Sequence, residues 1–448
     1  MEIFTIPLEN KFIIYRPLLR LAFIGNRAMA NLVLDIAAQS PNLDSLPASP
    51  AVDFLRSTGF LAPDPAPPPP PAASFQPTHA ALLLTNQCHL RCIYCYANAG
   101  VGPVQELSFA LARAAIDRVC HNALELDRPQ FELTFHGGGE PVRAWKVLAE
   151  AVAYARSKPL PCQVSMTSSG VWSQHQLHWI IDNLDGLTIS IDGGPETQNR
   201  QRPFVSGQGS FATVMRTIAA LDERNFPYGI RMTALPPWSE RLPTDVRFLC
   251  QKTNCQHFQV EPAFNTVRGQ HQWPSAAESE AFAAAFIEAF DIAGQANRTL
   301  AYTGARPWLL THSFCTAPYN ALIVNPAGRL VACYEVTDQN HPLIDISTFG
   351  EIVGDQVRVD EEARHALHTR LDERRQACRA CFCYRHCAGD CYTRTFSPEV
   401  GSHKVLGQRC RMNRSITAQL LLRYIMAGDG LWQGNGTRQA RHTLVAEG

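Results

Sequence analysis

The chain has 448 residues, enough for about three domains, and with 46% hydrophobic and 18% charged residues it can build a buried core. Forty Lys and Arg balance forty Asp and Glu, so no overall field draws the chain to nucleic acid or to an anionic membrane. No apolar run reaches the roughly 18 to 20 residues of a membrane helix. The opening "MEIFTIPLENK" lacks the basic segment and long apolar core of a secretory signal. A cytoplasmic protein is expected, with reduced thiols, so its fifteen cysteines read as metal ligands rather than disulfides.

Residues 1–62 form the first region. "KFIIYRP" and "RLAFIGN" read as strands, with branched or aromatic residues between turn formers. "RAMANLVLDIAAQ" and "PAVDFLRSTGF" read as short amphipathic helices. A small α+β unit is expected. The proline-rich stretch that follows, with residues 63–78 as its span, reads as a semi-rigid linker without a core.

From residue 79 to about 300 the pattern alternates regularly. Strand-like "HAALLLT", "QFELTFHG", "CQVSMTSSG", "GLTISIDG", "YGIRMTALP" and "HFQVEPAF" are each followed by a helical stretch. Six strand–helix units imply a parallel sheet with helices packed outside it. Periodicity leaves an open doubly wound sheet and a partial barrel equally allowed. In both, ligands bind at the C-terminal ends of the strands. The polar motifs sit there: Cys88, Cys92 and Cys95 after the first strand, "HGGGEP" after the second, "TSSG" after the third, "SIDGG" at the end of the fourth and Glu261 at the end of the sixth. These loops should converge on one site.

Three thiolates close together need a reason. Zinc sites usually close with four ligands. A cubic 4Fe–4S cluster also has four irons, and three cysteines leave one iron free to bind something else. The glycines of "GGGEP" permit close backbone approach to a small molecule, with Glu140 as counter-charge for an amino group. A C-x-x-x-C-x-x-C loop with Tyr94 before its last cysteine, followed by this glycine–glutamate–proline motif on the next strand, resembles the radical S-adenosylmethionine (SAM) enzymes. The resemblance implies a partial six-unit barrel. It implies a cluster on Cys88, Cys92 and Cys95 whose free iron chelates SAM, and reductive cleavage of SAM to a 5′-deoxyadenosyl radical. It implies SAM contacts from Tyr94, Gly138, Gly139, Glu140, Ser168, Ser190 and Arg202.

The C-terminal third carries a second cysteine pattern. Cys315, Gly328 and Cys333 are followed by Cys378, Cys381, Cys387 and Cys391, spaced two, five and three apart, and then by Cys410. These positions resemble the SPASM extension of peptide-modifying and sulfatase-maturing radical SAM enzymes, placed at residues 301–411 with a C-terminal helix and tail over 412–448. The resemblance implies two auxiliary 4Fe–4S clusters, one on Cys315, Cys333 and Cys391, the other on Cys378, Cys381, Cys387 and Cys410, three clusters in all. Cys120, Cys162, Cys250 and Cys383 read as spectators. Cys255 and His312 are the candidates for the missing ligand of the first auxiliary cluster, with Cys255 expected away from the strand ends where clusters lie.

The expected function is maturation of a ribosomally made precursor peptide through hydrogen abstraction, giving a thioether, a carbon–carbon crosslink or a backbone rearrangement. Residues 1–62 resemble the small winged-helix domains that recognise leader peptides by adding a strand to a sheet edge. The implied partners are the leader-bearing precursor, an electron donor such as flavodoxin or ferredoxin, and a separate leader-binding protein, with neither nucleic acid nor membrane. An anaerobic sulfatase maturase is the second reading; such enzymes carry an aspartate base directly after the second SPASM cysteine. Here Tyr334 follows Cys333 and the carboxylate comes next, at Glu335, the candidate catalytic base. A non-catalytic iron–sulfur or electron-transfer protein is the third.

Overall fold

A computed structural model of the chain describes residues 1–39, 46–236, 238–263, 268, 274–395 and 407–434. The call of a C-terminal tail therefore lies outside the described residues beyond 434. The last residue of the sixth expected strand, at 264, also lies outside them.

The expected strands form in order: β4 (His79–Leu82), β5 (Phe131–Phe135), β6 (Cys162–Ser168), β7 (Gly186–Ser190), β8 (Tyr228–Ala234) and β9 (His257–Pro262). A short β10 (Thr299–Ala301) follows, and the order across the sheet is the order in the chain, all parallel. A doubly wound sheet reverses its strand order at a switch point; this one does not, and it is the partial barrel.

Strands β5 to β9 alternate, whereas Ala81 of β4 and Leu83 just after it join an apolar cluster with Ile323 and Val331. Leu133, Val164, Met166, Ile189, Ile230, Met232 and Val260 point outward into the core shared with the surrounding helices. The in-register residues of the other face are Thr134 with Ser165, Thr167 with Thr188, and Ser190 with Arg231 and Gln259. A closed barrel fills its interior with branched apolar side chains. This inner face is polar and encloses a chamber. The helices start where serines can accept their first free amides: Ser108, and Ser173 and Ser275 in capping boxes with Gln176 and Glu278.

The C-terminal extension prolongs the same sheet. β11 (Ala321–Val324) pairs in parallel with β4, and β12 (Arg329–Val331), β13 (Thr348–Val353) and β14 (Gln356–Val359) follow antiparallel, giving eleven strands. The edge of β4 is thereby covered by the extension instead of being left open. The linker is no free spacer. Phe75 is buried edge-on against Phe349 at 5.3 Å, and Arg364 lies over the Phe75 ring at 5.6 Å while donating to the Ala73 carbonyl.

The N-terminal unit differs from a self-contained, tethered module. β1 (Phe4–Leu8), β2 (Lys11–Arg16) and β3 (Leu21–Gly25) form an antiparallel meander. Its fourth strand is β15 (Leu431–Gln433), from the far end of the described chain, pairing antiparallel with β3. The helix before β15 runs Gln408–Ala427, so the expected boundary at 411/412 cuts through its first turn, which carries Cys410. Ile13, Tyr15 and Ala22 share the main core with this helix, whereas Ile14, Phe23, Val33, Leu55 and Phe60 make a smaller core beneath residues 27–57. Arg385 of the extension donates to both carboxylate oxygens of Glu2, at 3.2 and 3.0 Å from Nε. Arg16, fully buried, donates to the carbonyls of Phe60 and Ala62 and pairs with Asp64. The physical reason for the difference is Trp432, which no local pattern marks as a strand: it is 2% exposed, stacks on Tyr424 at 5.7 Å and lies 6.2 Å from Tyr15.

Removing that anchor should free β15. Trp432→Ala is expected to cost about 3 to 5 kcal/mol locally and to accelerate hydrogen exchange of β3 amides far more than of barrel amides. Unchanged exchange in β3 would show that the strand is held by something else.

Candidate active site

The three-cysteine loop is fastened from below and from the side. Arg91 N donates to Pro203 O at 2.7 Å and Ile93 N to Gln201 O at 3.0 Å, tying the loop to the segment after β7. Tyr94 is the lateral pin. Its hydroxyl donates to Asp192 Oδ2 at 2.6 Å. The same oxygen accepts from Gln201 Nε2 at 2.8 Å and faces Arg202 Nε at 3.0 Å, while Oδ1 accepts from Thr233 N at 2.9 Å. Arg202 lies over the Tyr94 ring at 5.3 Å, with Nη1 3.9 Å from Cys92 Sγ. Tyr94 and Arg202, both expected at SAM, are thus committed to holding the loop. Asp192, 2% exposed, is the residue that organises them. The reading of the sequence passed over it inside "SIDGG", where a carboxylate two residues past Ser190 was the available signal.

The thiols stand together. Burial pushes Cys88 up to about 12, with Glu140, Cys92 and Cys95 adding to the shift. Cys92 is pushed up to about 11 by burial, opposed by Arg202 and reinforced by Cys95. Protein alone keeps such thiols protonated; a bound metal centre coordinates thiolates and reverses this.

Two residues before Glu140, the glycine turn crosses the chain that leads into this loop. A Cβ on Gly138 (φ +62°) would lie 2.7 Å from Thr85 O, and one on Gly139 would strike the Gln87 backbone. The glycines therefore allow the two loops to touch, which places Glu140 beside Cys88. Glu140 is 3% exposed and already held: Oε1 accepts from Ser168 Oγ at 2.6 Å and Oε2 from Ser169 N at 2.8 Å. Burial outweighs these bonds and raises its carboxyl above the ordinary value. Ser168 Oγ also accepts from Gly170 N at 3.1 Å and Trp172 Nε1 at 2.9 Å. Its one donor and two acceptor positions are filled, so Ser168 orients Glu140 and has no bond left for a ligand. Ser190 lies on the inner face at the end of β7.

The second cysteine pattern separates into two groups by electrostatic neighbourhood. Cys333, strongly raised by burial, feels Glu335, Cys391 and Cys315. Cys387, also raised by burial, feels Asp390, Cys410, Cys381 and Cys378. Cys410 is pushed up to about 11 by burial and Asp390, with Cys378 and Cys381 nearby. Cys383 is not remote: a hydrogen bond with it lowers the Cys381 thiol. Asp390, another residue missed from sequence, accepts from Arg409 Nε at 2.8 Å and Asn413 Nδ2 at 3.2 Å and braces this group. Among the described residues no three His, Cys, Asp or Glu side chains are gathered closely enough to hold a metal ion as they stand. The fit to iron–sulfur clusters rests on donor chemistry: three sets of free thiols, most of them half-buried, with Cys387 buried and Cys315 exposed.

Cys255 is buried at the start of β9, its thiol donating to His257 O at 3.1 Å, at the opposite end of the barrel from the site. His312 lines a groove of Pro67, Pro68, Arg375, Arg379 and Tyr384, with Arg375 and Asp372 as its charged neighbours. Glu335 lies between the two ends of the first auxiliary set. Its Oε2 accepts from Thr393 Oγ1 at 3.0 Å, Thr393 Oγ1 is 3.1 Å from Cys391 Sγ, and Arg394 pairs with Oε1. Tyr96 spans the remaining gap, with Glu335, Arg231, Cys95 and Cys333 as its charged neighbours. Tyr96 is thus an electrostatic neighbour of one cysteine from each set, Cys95 and Cys333.

Asp192→Ala should leave Arg202 buried without its partner, a loss of about 3 to 5 kcal/mol. Asp192→Asn keeps acceptors for Tyr94 and Thr233 and should fall between that variant and the parent. Chemical denaturation measures both; equal midpoints for all three proteins would remove Asp192 from this role.

Residues 82–249 match the radical SAM superfamily. Over 155 residues the chain is 32% identical to the uncharacterized protein MJ0907 of Methanocaldococcus jannaschii, covering 34% of this chain and 51% of that protein. Over 163 residues it is 29% identical to the sporulation killing factor maturation protein SkfB of Bacillus subtilis, covering 36% of each. The chain thus spans between about a third and a half of the curated relatives it matches. Among solved structures, native anSMEcpe with bound AdoMet shares the fold at a TM-score of 0.61 and 16% identity, over 78% of this chain and 99% of that one. Streptococcus suis SuiB bound to precursor peptide SuiA does so at 0.50 and 13%, over 76% and 74%. No helix among the described residues is long and apolar enough to cross a membrane. The domain at residues 82–249, with its barrel order and its three-cysteine loop, is thus similar to the radical SAM superfamily.

Proposed function

We propose that this chain is a radical SAM maturase of a ribosomally made precursor peptide. The observation that carries the reading is the polar inner face of the barrel, with Tyr96 an electrostatic neighbour both of Cys95, from the set Cys88, Cys92 and Cys95, and of Cys333, from the set Cys315, Cys333 and Cys391. Two of the similar proteins point the same way: SkfB is a sporulation killing factor maturation protein, and SuiB has been solved with a precursor peptide.

A 4Fe–4S cluster held by Cys88, Cys92 and Cys95 would supply the electron for reductive cleavage of SAM and so the chemistry of hydrogen abstraction. The chain's own residues do the rest. Cys88, Cys92 and Cys95 hold the cluster, and Asp192 fixes their loop through Tyr94 and Arg202. Glu140, oriented by Ser168 and Ser169, accepts from the methionyl ammonium. The apolar outer faces of β5 to β9 seal the chamber from water on the helix side. Two auxiliary clusters sit on Cys315, Cys333 and Cys391, and on Cys378, Cys381, Cys387 and Cys410. Glu335, held by Thr393 and Arg394 beside the first of these, takes the proton released on the substrate side.

The N-terminal sheet recognises the leader. Its β1 edge carries Pro7, which cannot donate to an added strand, and β15 covers the β3 edge. Leader docking therefore involves the β15 side. Flavodoxin or ferredoxin is the electron donor, a separate leader-binding protein is a further partner, and the setting is the reducing cytoplasm. Formylglycine formation is less well supported, because the residue directly after Cys333 is Tyr334, packed on His136 at 4.5 Å, and not a carboxylate.

Anaerobic reconstitution should load about twelve irons, four per cluster. The combined Cys88→Ala, Cys92→Ala and Cys95→Ala variant should lose about a third of the iron and all SAM cleavage; retained cleavage would defeat the assignment. Mass spectrometry of precursor peptides encoded beside the gene, after anaerobic turnover, tests the substrate class. A charge-assisted bond to the ammonium is worth about 1.5 to 3 kcal/mol, so Glu140→Gln should weaken SAM binding by about ten- to hundredfold with full iron content. Unchanged affinity would count against the role given to Glu140.

A further inference from the structure

The chamber holds a cation that none of these roles uses. Arg231 lies on β8 in register with Ser190 of β7 and Gln259 of β9, so its side chain belongs to the polar inner face. Other arginines around the chamber have carboxylate partners: Arg202 has Asp192, Arg394 has Glu335, and Arg409 has Asp390. Among the described residues no carboxylate pairs with Arg231; its electrostatic neighbours are His136 and Tyr96. Burial and the Arg231 charge hold His136 neutral, down to about 3, and its Nδ1 is buried without a hydrogen-bond partner. The His136 ring packs against Tyr334 at 4.5 Å.

Arg231 is half-buried, and a guanidinium on a polar inner face without a protein carboxylate is placed to gain from a ligand that brings an anion. Its planar fork of donors matches a carboxylate in two parallel bonds. His136, in the tautomer with its proton on Nδ1, adds a third donor. Two carboxylates could enter this chamber, that of SAM and one of the substrate. The neighbours of Arg231 decide between them. Tyr96 and, through His136, Tyr334 place it toward Cys333 and the auxiliary set, whereas Arg202 is the cation beside Cys92.

We propose that Arg231 and His136 form a carboxylate-binding site in the chamber that seats an Asp or Glu side chain of the substrate peptide beside Tyr96, the neighbour of both thiol sets. This rests on the peptide-maturase reading and adds to it the class of residue at the reaction centre.

The test uses reconstituted holoenzyme saturated with SAM. Acetylated and amidated Gly-Asp-Gly, Gly-Glu-Gly and Gly-Asn-Gly are the probes, and saturation-transfer NMR gives their affinities. At least one acidic peptide should bind about tenfold or more tightly than the Asn peptide. Arg231→Gln should abolish that preference, and Arg231→Lys should keep part of it. No preference in the parent protein, or one that survives Arg231→Gln, would overturn the proposal. So would an equal fall in SAM affinity in Arg231→Gln without peptide, which would give the guanidinium to the SAM carboxylate. Iron content reports assembly of each variant; should the Gln variant fail to assemble, the parent preference and its change in Arg231→Lys decide. A parent holoenzyme that cannot cleave SAM defeats the underlying reading, a result distinct from cleavage without carboxylate preference.

Discussion

The arrangement depends on a constraint inside the barrel: on β5 to β9 the outward residues are apolar and the inward residues are largely polar. Outward, Leu133, Val164, Ile189, Met232 and their neighbours bury against helices and stabilise the sheet in the ordinary way, at about 25 cal/mol per Å² of apolar surface. Inward, Thr134, Ser165, Thr167, Ser190 and Arg231 cannot make a dry core. Their space has to be occupied by water or by a polar ligand. Such a barrel cannot close on its own side chains, and the open edge at β4 is instead prolonged by the strands of the extension. The chamber and the continuous eleven-stranded sheet are thus two results of one alternation.

Within that frame the protein fixes its cysteines before any cofactor arrives. Asp192 accepts from Tyr94, Gln201 and Thr233 and faces Arg202, so a single carboxylate joins the cluster loop to the segments following β7 and to β8. Asp390 does the same for the second auxiliary set through Arg409 and Asn413. Both carboxylates lie one step behind the thiols. The thiols themselves are mostly held protonated by burial, so metal binding and deprotonation are coupled, and the backbone scaffold bears the task of placement.

The sequence revealed what is written in local periodicity and in fixed spacings. All six strand–helix units, the cysteine loop, the glycine turn and the cysteines of the extension are repeating or closely spaced signals, and the six strands form in the expected order. The consecutive strand order needed the structure, because alternation along the chain carries no information about which strands are neighbours. Ser168 shows a second limit. Its position at a strand end was readable, but its hydroxyl is consumed by Glu140, Gly170 and Trp172, partners brought together only by folding. Arg231 shows a third. Nothing local in "YGIRMTALP" says that the face carrying the arginine is the polar inner one. β15 was invisible because three residues make too short a run for any period to register, and its anchor, Trp432, is held by aromatic side chains distant from β15 in sequence or outside its strand pattern.

That strand has a consequence for the order of events during synthesis. β1 to β3 leave the ribosome some four hundred residues ahead of the strand that partners β3. At about 5 to 20 residues per second the gap lasts roughly 20 to 80 seconds. Throughout it the β3 edge is bare and Tyr15 lacks the ring it packs against. The nascent chain thus displays an unpaired strand edge for most of its manufacture, and the barrel and its cysteine sets are in place before the first-made sheet can be completed by nearly the last described residues.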